Sequence, residues 1–145
     1  MHWQSRRVRV RGFTLIETMM VLVVVAILVG IAVPAYQNSL NKGRRSDAKS
    51  ALMDVANRQE SHMLDRNTYT TDMTQLGFTN DPMVSEEGFY TVDAEACTDG
   101  ISRCYVLTAR PVIPGAQDGD TRCTTLVVDS NGVRTATGSA PAECW

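Results

Sequence analysis

The stretch RGFTLIETMMVLVVVAILVGIAVPAYQ, residues 11–37, is the most apolar part of the chain and decides its fold. No polar side chain occurs between Met19 and Val33. At 1.5 Å rise per residue, a helix over residues 13–33 is about 30 Å long, which is enough to cross a bilayer. The arginines before this run and the lack of any directly after it place the N-terminus on the cytoplasmic side. The rest of the chain is then expected outside.

The chain has 145 residues, which fits one small domain preceded by this apolar segment. The chain has 14 basic and 16 acidic residues, and residues 1–12 hold four arginines and no acid. The acidic balance of the rest argues against generic nucleic-acid binding. His2 and His62 are the only histidines, and no phosphate-binding glycine loop or nucleophile motif occurs. We therefore expect neither enzymatic activity nor a cofactor.

Glu17 is the unusual residue, because it stands inside the apolar run. One interpretation is a capping box, in which Thr14 and Glu17 bond the free amides of the helix start. The other is a function, since an ionisable residue within a membrane span needs a partner. An ordinary secretory signal cleaved after Ala35 is a further alternative, but the apolar run exceeds the 7–15 residues typical of such signals.

Arg11-Gly12-Phe13-Thr14-Leu15-Ile16-Glu17, the apolar run and Pro34-Ala35-Tyr36 together resemble the class III signal of type IV prepilins. The resemblance implies that a prepilin peptidase removes residues 1–12 by cutting between Gly12 and Phe13. It also implies methylation of the new Phe13 amine. The helix over residues 13–35 would anchor the chain in the inner membrane and later form the filament core, with Glu17 neutralising the Phe13 amine of a neighbouring subunit.

Gly30 and Pro34 weaken the same helical turn. Proline has no amide hydrogen, so it leaves the carbonyl of the residue four earlier, Gly30, unpaired. We expect a kink or local melting there, as in the stretchable segment of pilin-like filaments. A simple bend that places the rest of the chain beside the membrane is the alternative.

Residues 36–66 continue as an amphipathic helix. Its predicted apolar stripe consists of Tyr36, Leu40, Ala48, Ala51, Leu52, Val55, Ala56 and Met63. The cluster Lys42-Gly43-Arg44-Arg45 is interpreted as a solvated face, with a filament contact or a weak nucleic-acid patch as alternatives. Residues 67–88 are expected to form a loop. Strands are predicted at Phe89–Val92, Tyr105–Ala109, Thr124–Val128 and, after a turn at Asp129–Gly132, Val133–Thr135, which makes residues 67–145 an antiparallel α+β head.

The four cysteines lie in the last third of the chain and are Cys97, Cys104, Cys123 and Cys144. None forms a C-x-x-C pair and no histidine is near, so we expect no metal site. In an exported domain with a small core, two disulfides are the better interpretation. Three pairings are possible, of which we favour Cys97–Cys104 and Cys123–Cys144.

The head segments SDAKSALMDVANRQESHMLDRNTYT, GFYTV, CYVLTARP, QDGDTRCTTLVVDSNG and ECW are similar to the PilE/ComP-like branch of type IVa minor pilins. The resemblance implies the type IV pilin fold and a structural role in type IV pili of a Gram-negative bacterium, in pilus assembly, twitching motility and adhesion. Implied partners are other pilin subunits, the prepilin peptidase and the inner-membrane assembly platform. The head would lie in the periplasm and then on the cell surface, with the Cys123–Cys144 segment as an exposed loop.

Three rival functions remain. The first is a ComP-like DNA receptor that uses basic residues interspersed with acids in the head, namely Arg103, Arg110, Arg122 and Arg134. The second is a type II secretion pseudopilin, whose head would hold calcium; Asp118-Gly-Asp120 and Asp129-Ser-Asn131-Gly resemble fragments of calcium loops but are interpreted as turns. The third is a major pilin. Trp145 is expected to pack on the Cys144 disulfide.

Overall fold

A computed structural model describes residues 12–145 of the chain. These residues divide after Asn38 into two compact units. The predicted leader, residues 1–12, lies outside the described residues except for Gly12, and so do its arginines and His2.

The first long element, helix α1, runs from Leu15 to Arg66 and ends where the sequence predicted. Its N-terminal part holds an 18-residue window with a mean hydropathy of 2.7, so it is long and apolar enough to cross a membrane. The many valines of this part disfavour a helix in water. A helix that satisfies every backbone amide within the segment is nevertheless the structure that an apolar solvent requires.

The helix is continuous through Gly30 and Pro34. Local melting there within a filament stays a prediction. A bend at these residues stays a prediction.

The head contains one antiparallel sheet of five strands in the order β1-β2-β3-β4-β5. The strands are β1 (Met83–Val84), β2 (Tyr90–Ala96), β3 (Tyr105–Pro111), β4 (Thr125–Asp129) and β5 (Arg134–Thr137). The predicted α+β pilin architecture is confirmed. Residues 67–88 have little regular structure, as expected, and contain only β1 and a short 3-10 helix, Met73–Leu76.

The core lies between α1 and one face of the sheet. The helix contributes Ala48, Ala51, Leu52 and Val55, and the strands contribute alternate residues such as Tyr90, Val92, Leu107, Ala109, Leu126 and Val128. This alternation places one face of each strand on the helix, as the two-residue period of a strand requires. The predicted helix stripe was wrong at its start, because Tyr36 and Leu40 are 66% and 39% exposed.

Two disulfides close the head, with the pairing that the sequence favoured. Cys97–Cys104 closes the connection between β2 and β3. Cys123–Cys144 joins the segment just before β4 to the C-terminal end of the chain. Both sulfur-bearing residues of the second bridge are buried. A core of this small size gains stability from such cross-links, because they restrict the unfolded chain.

Candidate functional sites

Glu17 and Thr14 form the start of α1. The Thr14 amide donates to Glu17 Oε2 at 3.5 Å, and the Glu17 amide donates to Thr14 Oγ1 at 3.3 Å. These two reciprocal contacts form a capping box. The capping interpretation of Glu17 is therefore observed in the structure. Both residues are exposed, which leaves the carboxylate accessible to a further partner.

Gly12 and Phe13 precede the helix and are not part of any regular element. Phe13 is 85% exposed, and a side chain added at Gly12 would meet nothing within 4 Å. Nothing within residues 12–145 therefore blocks the peptide bond between them. Glu17 lies one helical turn further along the chain, so the carboxylate and residue 13 belong to the same end of α1.

The apolar side chains of the first unit are all largely exposed in the single chain. Between Phe13 and Val33, the large hydrophobic residues have exposed fractions of 48% to 85%. A monomeric soluble protein does not leave so large a continuous apolar surface in water. This surface requires an apolar environment, which lipid or other copies of such a helix can supply.

Arg45 is buried in the head, although the sequence analysis placed it on a solvated face. Its Nε and Nη2 atoms donate to the two carboxylate oxygens of Asp120, both at 2.7 Å. The hydrogen bond to Asp120 is the main reason that the pKa of Arg45 is raised. Burial by itself raises the pKa of Asp120, but the bond and charge of Arg45 outweigh it and hold that pKa below its ordinary value. No sequence signal distinguishes this pair from solvated charges, since its members are 75 residues apart.

The two segments that resemble calcium-loop fragments, which were interpreted as turns, have structural roles. Asp120 is the partner of Arg45, and Asp129 Oδ1 accepts hydrogen bonds from the amides of Asn131 and Val133, both at 2.9 Å. These bonds stabilise the turn between β4 and β5. Within residues 12–145 no three metal-ligating side chains lie together.

The arginines considered for DNA binding do not form one free basic stripe. Arg110 lies 3.7 Å from Glu95, and Arg122 forms an ion pair with Glu143. Arg103 is exposed on the loop between Cys97 and Cys104. Two of the four predicted contacts are thus partly neutralised by acids.

Arg134 belongs to a different basic region, which sequence reasoning missed. We call Lys49, Arg134 and Trp145 the basic flank. The Arg134 guanidinium lies 5.3 Å from the centre of the Trp145 ring, whose Nε1 donates to Thr135 O at 2.7 Å. Trp145 is thus hydrogen-bonded to β5, and its expected packing on the Cys144 disulfide stays a prediction.

Lys49 completes the basic flank from α1. Its pKa is lowered, first by burial and then by the positive charges of Arg45 and Arg134. The sequence could not reveal this region, because the charge of Arg134 acts on Lys49 only once the chain has folded. The flank combines two cations with an aromatic ring and is able to bind an anionic surface.

His62, the one histidine that the structure describes, has a structural contact. Its Nδ1 lies 2.8 Å from Thr68 O, where the chain turns after α1. Because a carbonyl oxygen can only accept, Nδ1–H donates to it, and this bond ties the loop to the last helical turns.

Comparison with known families identifies both parts of the chain. A family described as "Type IV minor pilin ComP, DNA uptake sequence receptor" matches residues 34–127, well over half of the chain. The prokaryotic N-terminal methylation motif matches residues 7–33. The two matches together include the predicted processing site and most of the head.

Individual relatives match over shorter lengths. Type IV major pilin protein PilA of Myxococcus xanthus is 34% identical over 70 residues, which are 48% of this chain and 32% of the relative. Type II secretion system core protein G of Aeromonas hydrophila is 32% identical over 80 residues, 54% of this chain and 56% of the relative. Prepilin peptidase-dependent protein D of Escherichia coli is 57% identical over 37 residues, 26% and 25% of the two chains.

The chain thus spans between 25% and 56% of the length of these three relatives. By their names, the first relative is a type IV pilin and the second belongs to a type II secretion system. With the family match over the head and the α+β architecture, the chain belongs to the ComP-like family of type IV minor pilins.

Proposed function

We propose that this chain is a structural subunit of type IV pili, in which Glu17 neutralises the amino terminus of a neighbouring subunit. The observation that carries the proposal is that Glu17 is the only charged side chain in residues 12–41 and is exposed. An unpaired charge in an apolar filament core is strongly unfavourable, whereas a carboxylate facing an ammonium group is tolerated. Cleavage before Phe13 creates that ammonium group.

The capping box does not by itself explain the charge. Glutamine serves at this position of a capping box as well as glutamate does. Glu17→Gln therefore keeps the cap and removes the charge. Thr14→Ala does the opposite, since it removes one of the two capping contacts and keeps the carboxylate.

These two variants test the proposal in a cell that assembles pili. The quantity to measure is the amount of each variant in sheared filaments, relative to its amount in the membrane. We expect Glu17→Gln to be processed but nearly excluded from filaments, and Thr14→Ala to be incorporated much as the wild type is. Normal incorporation of Glu17→Gln would refute the charge pairing.

Intact-mass measurement tests the processing step separately. A prepilin peptidase acting between Gly12 and Phe13 gives a chain that starts at methylated Phe13. The exposure of both residues outside the helix supports this position. A mature chain starting at Tyr36 would instead indicate an ordinary secretory signal, and the mature protein would then lack its filament helix.

The proposed subunit resides in the inner membrane of a Gram-negative bacterium with its head in the periplasm, and then on the cell surface. The assembly platform and other pilin subunits are its partners, and its contributions to twitching motility and adhesion follow from incorporation. We place it among minor subunits because its family carries that description. Quantifying the subunit in sheared filaments tests this, since a major pilin would dominate them.

DNA reception is the second candidate function. It is favoured by the description of the matching family and by the basic flank. Cations neutralising phosphates make DNA affinity depend steeply on salt. In the full chain in detergent micelles, Lys49→Gln and Arg134→Gln should each weaken binding to double-stranded DNA and reduce the salt slope by about 1.

Arg66→Gln is the matched control for these variants. Arg66 is an exposed cation at the end of α1 and lies outside the basic flank. It should leave both the affinity and the salt slope unchanged. Equal effects of all three substitutions would indicate only non-specific attraction, and binding that is insensitive to salt would exclude the basic flank as a DNA contact.

A further inference from the structure

The two edges of the sheet in the head carry surfaces of opposite charge. The strand order β1-β2-β3-β4-β5 places β1 and β5 at opposite edges. The basic flank lies at the β5 edge, because Arg134 is the first residue of that strand. At the other edge lie the exposed carboxylates of Glu86 and Glu87, which follow β1, and of Asp54 from α1. We call Asp54, Glu86 and Glu87 the acidic edge.

The acidic edge borders a cavity of about 230 Å³ beside α1. Asp54 and Glu86 line this cavity together with Met83 of β1. The turn that carries the two glutamates is fixed to the helix, because Asp47 Oδ1 accepts a hydrogen bond from the Glu87 amide at 3.2 Å. The fold thus holds acidic side chains around an opening that a cationic side chain can enter.

The basic flank is ordered by contacts of its own. Arg134 Nη2 lies 3.9 Å from Met53 Sδ on α1. Lys49 precedes Met53 by one helical turn, so the two cations occupy neighbouring positions on the surface of the head. Within residues 12–145, neither these cations nor Glu86 and Glu87 take part in a salt bridge. Both surfaces therefore have charge that a partner can neutralise.

One copy of the chain cannot join these two surfaces by itself. Lys49 and Asp54 are five residues apart on α1, which separates them by about 140° around a helix of 3.6 residues per turn. The rest of each surface lies at a different edge of the same sheet. The charge complementarity is therefore available only between two copies.

We propose that the basic flank of one copy binds the acidic edge of the next copy in the filament. This inference rests on the proposed function as a filament subunit. Each copy then uses one surface toward the copy that follows and the other surface toward the copy that precedes. A contact between two different surfaces repeats without closing and produces an open helical filament. A closed two-fold pair would need both surfaces on the same side of the head.

The contact determines how neighbouring heads are oriented rather than how strongly the filament holds together. Exposed charge pairs are individually weak and are screened by salt. Charge complementarity chiefly decides which surfaces meet and in what orientation. The exposed apolar side chains between Phe13 and Val33 offer a much larger surface for association.

Zero-length cross-linking of sheared filaments tests the contact directly. A carbodiimide joins an ammonium group and a carboxylate in contact as an amide, and takes up the water that is lost. We expect a cross-linked peptide in which Lys49 is joined to Glu86, Glu87 or Asp54. The same chain dispersed singly in detergent micelles should not form it, because the two surfaces face different sides. Filaments in which Lys49 is joined only to other carboxylates, or to none, would overturn the proposal.

Charge reversal gives a second test, in a cell whose only source of this chain is the variant. Arg134→Glu and Glu86→Arg should each lower the amount in sheared filaments several-fold, relative to the amount in the membrane, because an attraction becomes a repulsion. The double variant restores the pair with reversed polarity and should recover most of the incorporation. Arg66→Glu is the control, because it makes the same change of charge outside both surfaces.

Recovery in the double variant is the decisive result. Misfolding of either single variant, or a basic flank that serves only DNA, would leave the double variant as poor as the single ones, and that outcome would contradict the proposal. Normal incorporation of both single variants would contradict it as well.

Glu17→Gln separates this inference from the function on which it rests. If Glu17→Gln is excluded from filaments while both charge reversals are incorporated normally, the filament role stands and the contact between heads is wrong. If the unmodified chain is itself absent from sheared filaments, both proposals fail.

Discussion

Replacing Asp120 with asparagine should destabilise the head strongly. Asparagine has nearly the same shape as aspartate but removes the charge that balances Arg45. The two side chains are 1% and 3% exposed, so the remaining guanidinium cannot reach solvent without a rearrangement. Leaving one member of a buried ion pair uncompensated costs about 3–5 kcal/mol. Since asparagine still accepts one hydrogen bond, we expect a loss near the lower limit.

Urea unfolding of the full chain in detergent, followed by near-ultraviolet circular dichroism with both disulfides intact, measures this loss. The signal should report the head, because the apolar helix remains in the micelle. Arg45→Met should have a comparable cost, since it leaves the Asp120 carboxylate buried and unpaired. The double variant should lose less than the sum of the two single losses.

A loss below about 1 kcal/mol for Asp120→Asn would refute the reasoning, because a pair of that strength is typical of solvent-exposed charges. The pH dependence gives an independent check. The pKa of Asp120 is lower in the folded head than in the unfolded chain, so its contribution is present above the ordinary value of 3.8. This contribution is lost as the pH falls from that value through the folded pKa. Asp120→Asn should remove this part of the acid sensitivity.

Two further substitutions test the packing of the head. Gly138→Ala should destabilise the head strongly, because Gly138 has φ +130° and an added Cβ would clash with Arg122 O. Gly119→Ala is the control, because its added Cβ meets open space and the variant should be near neutral in the same unfolding measurement. Leu52→Ala should cost about 2–5 kcal/mol, because Leu52 is fully buried. Leu64→Ala, at an 85% exposed position of the same helix, should stay within about 0.5 kcal/mol, and equal losses at the two leucines would contradict the assigned core.

The elements with strong periodic patterns were predictable from the sequence. We expected the end of α1 at Arg66 and the strands β2, β3 and β4. Apolar residues every three to four positions indicate the buried face of a helix, and apolar residues at every second position indicate that of a strand. Strand β1 was missed because it has only two residues, too few to show a period. It is a strand because Met83 and Val84 pair with β2.

Charged residues were the least predictable. Lys42 and Arg45 look alike in the sequence, yet Lys42 is exposed and Arg45 is buried against Asp120. The partner that makes burial possible comes from a distant loop, and no local pattern encodes it. The same holds for Lys49 and Arg134, which become neighbours through packing.

The sequence by itself determined the long apolar helix and the α+β class of the head, and it offered the capping box of Thr14 and Glu17 as one of two interpretations. These depend on local composition and spacing, which act through the hydrogen bonds of neighbouring residues and the solvent that each segment prefers. Only the tertiary structure decided the Arg45–Asp120 pair and the basic flank, because both join residues that are far apart in the chain. Their energies depend on desolvation and geometry, which exist only once the helix and the sheet have packed.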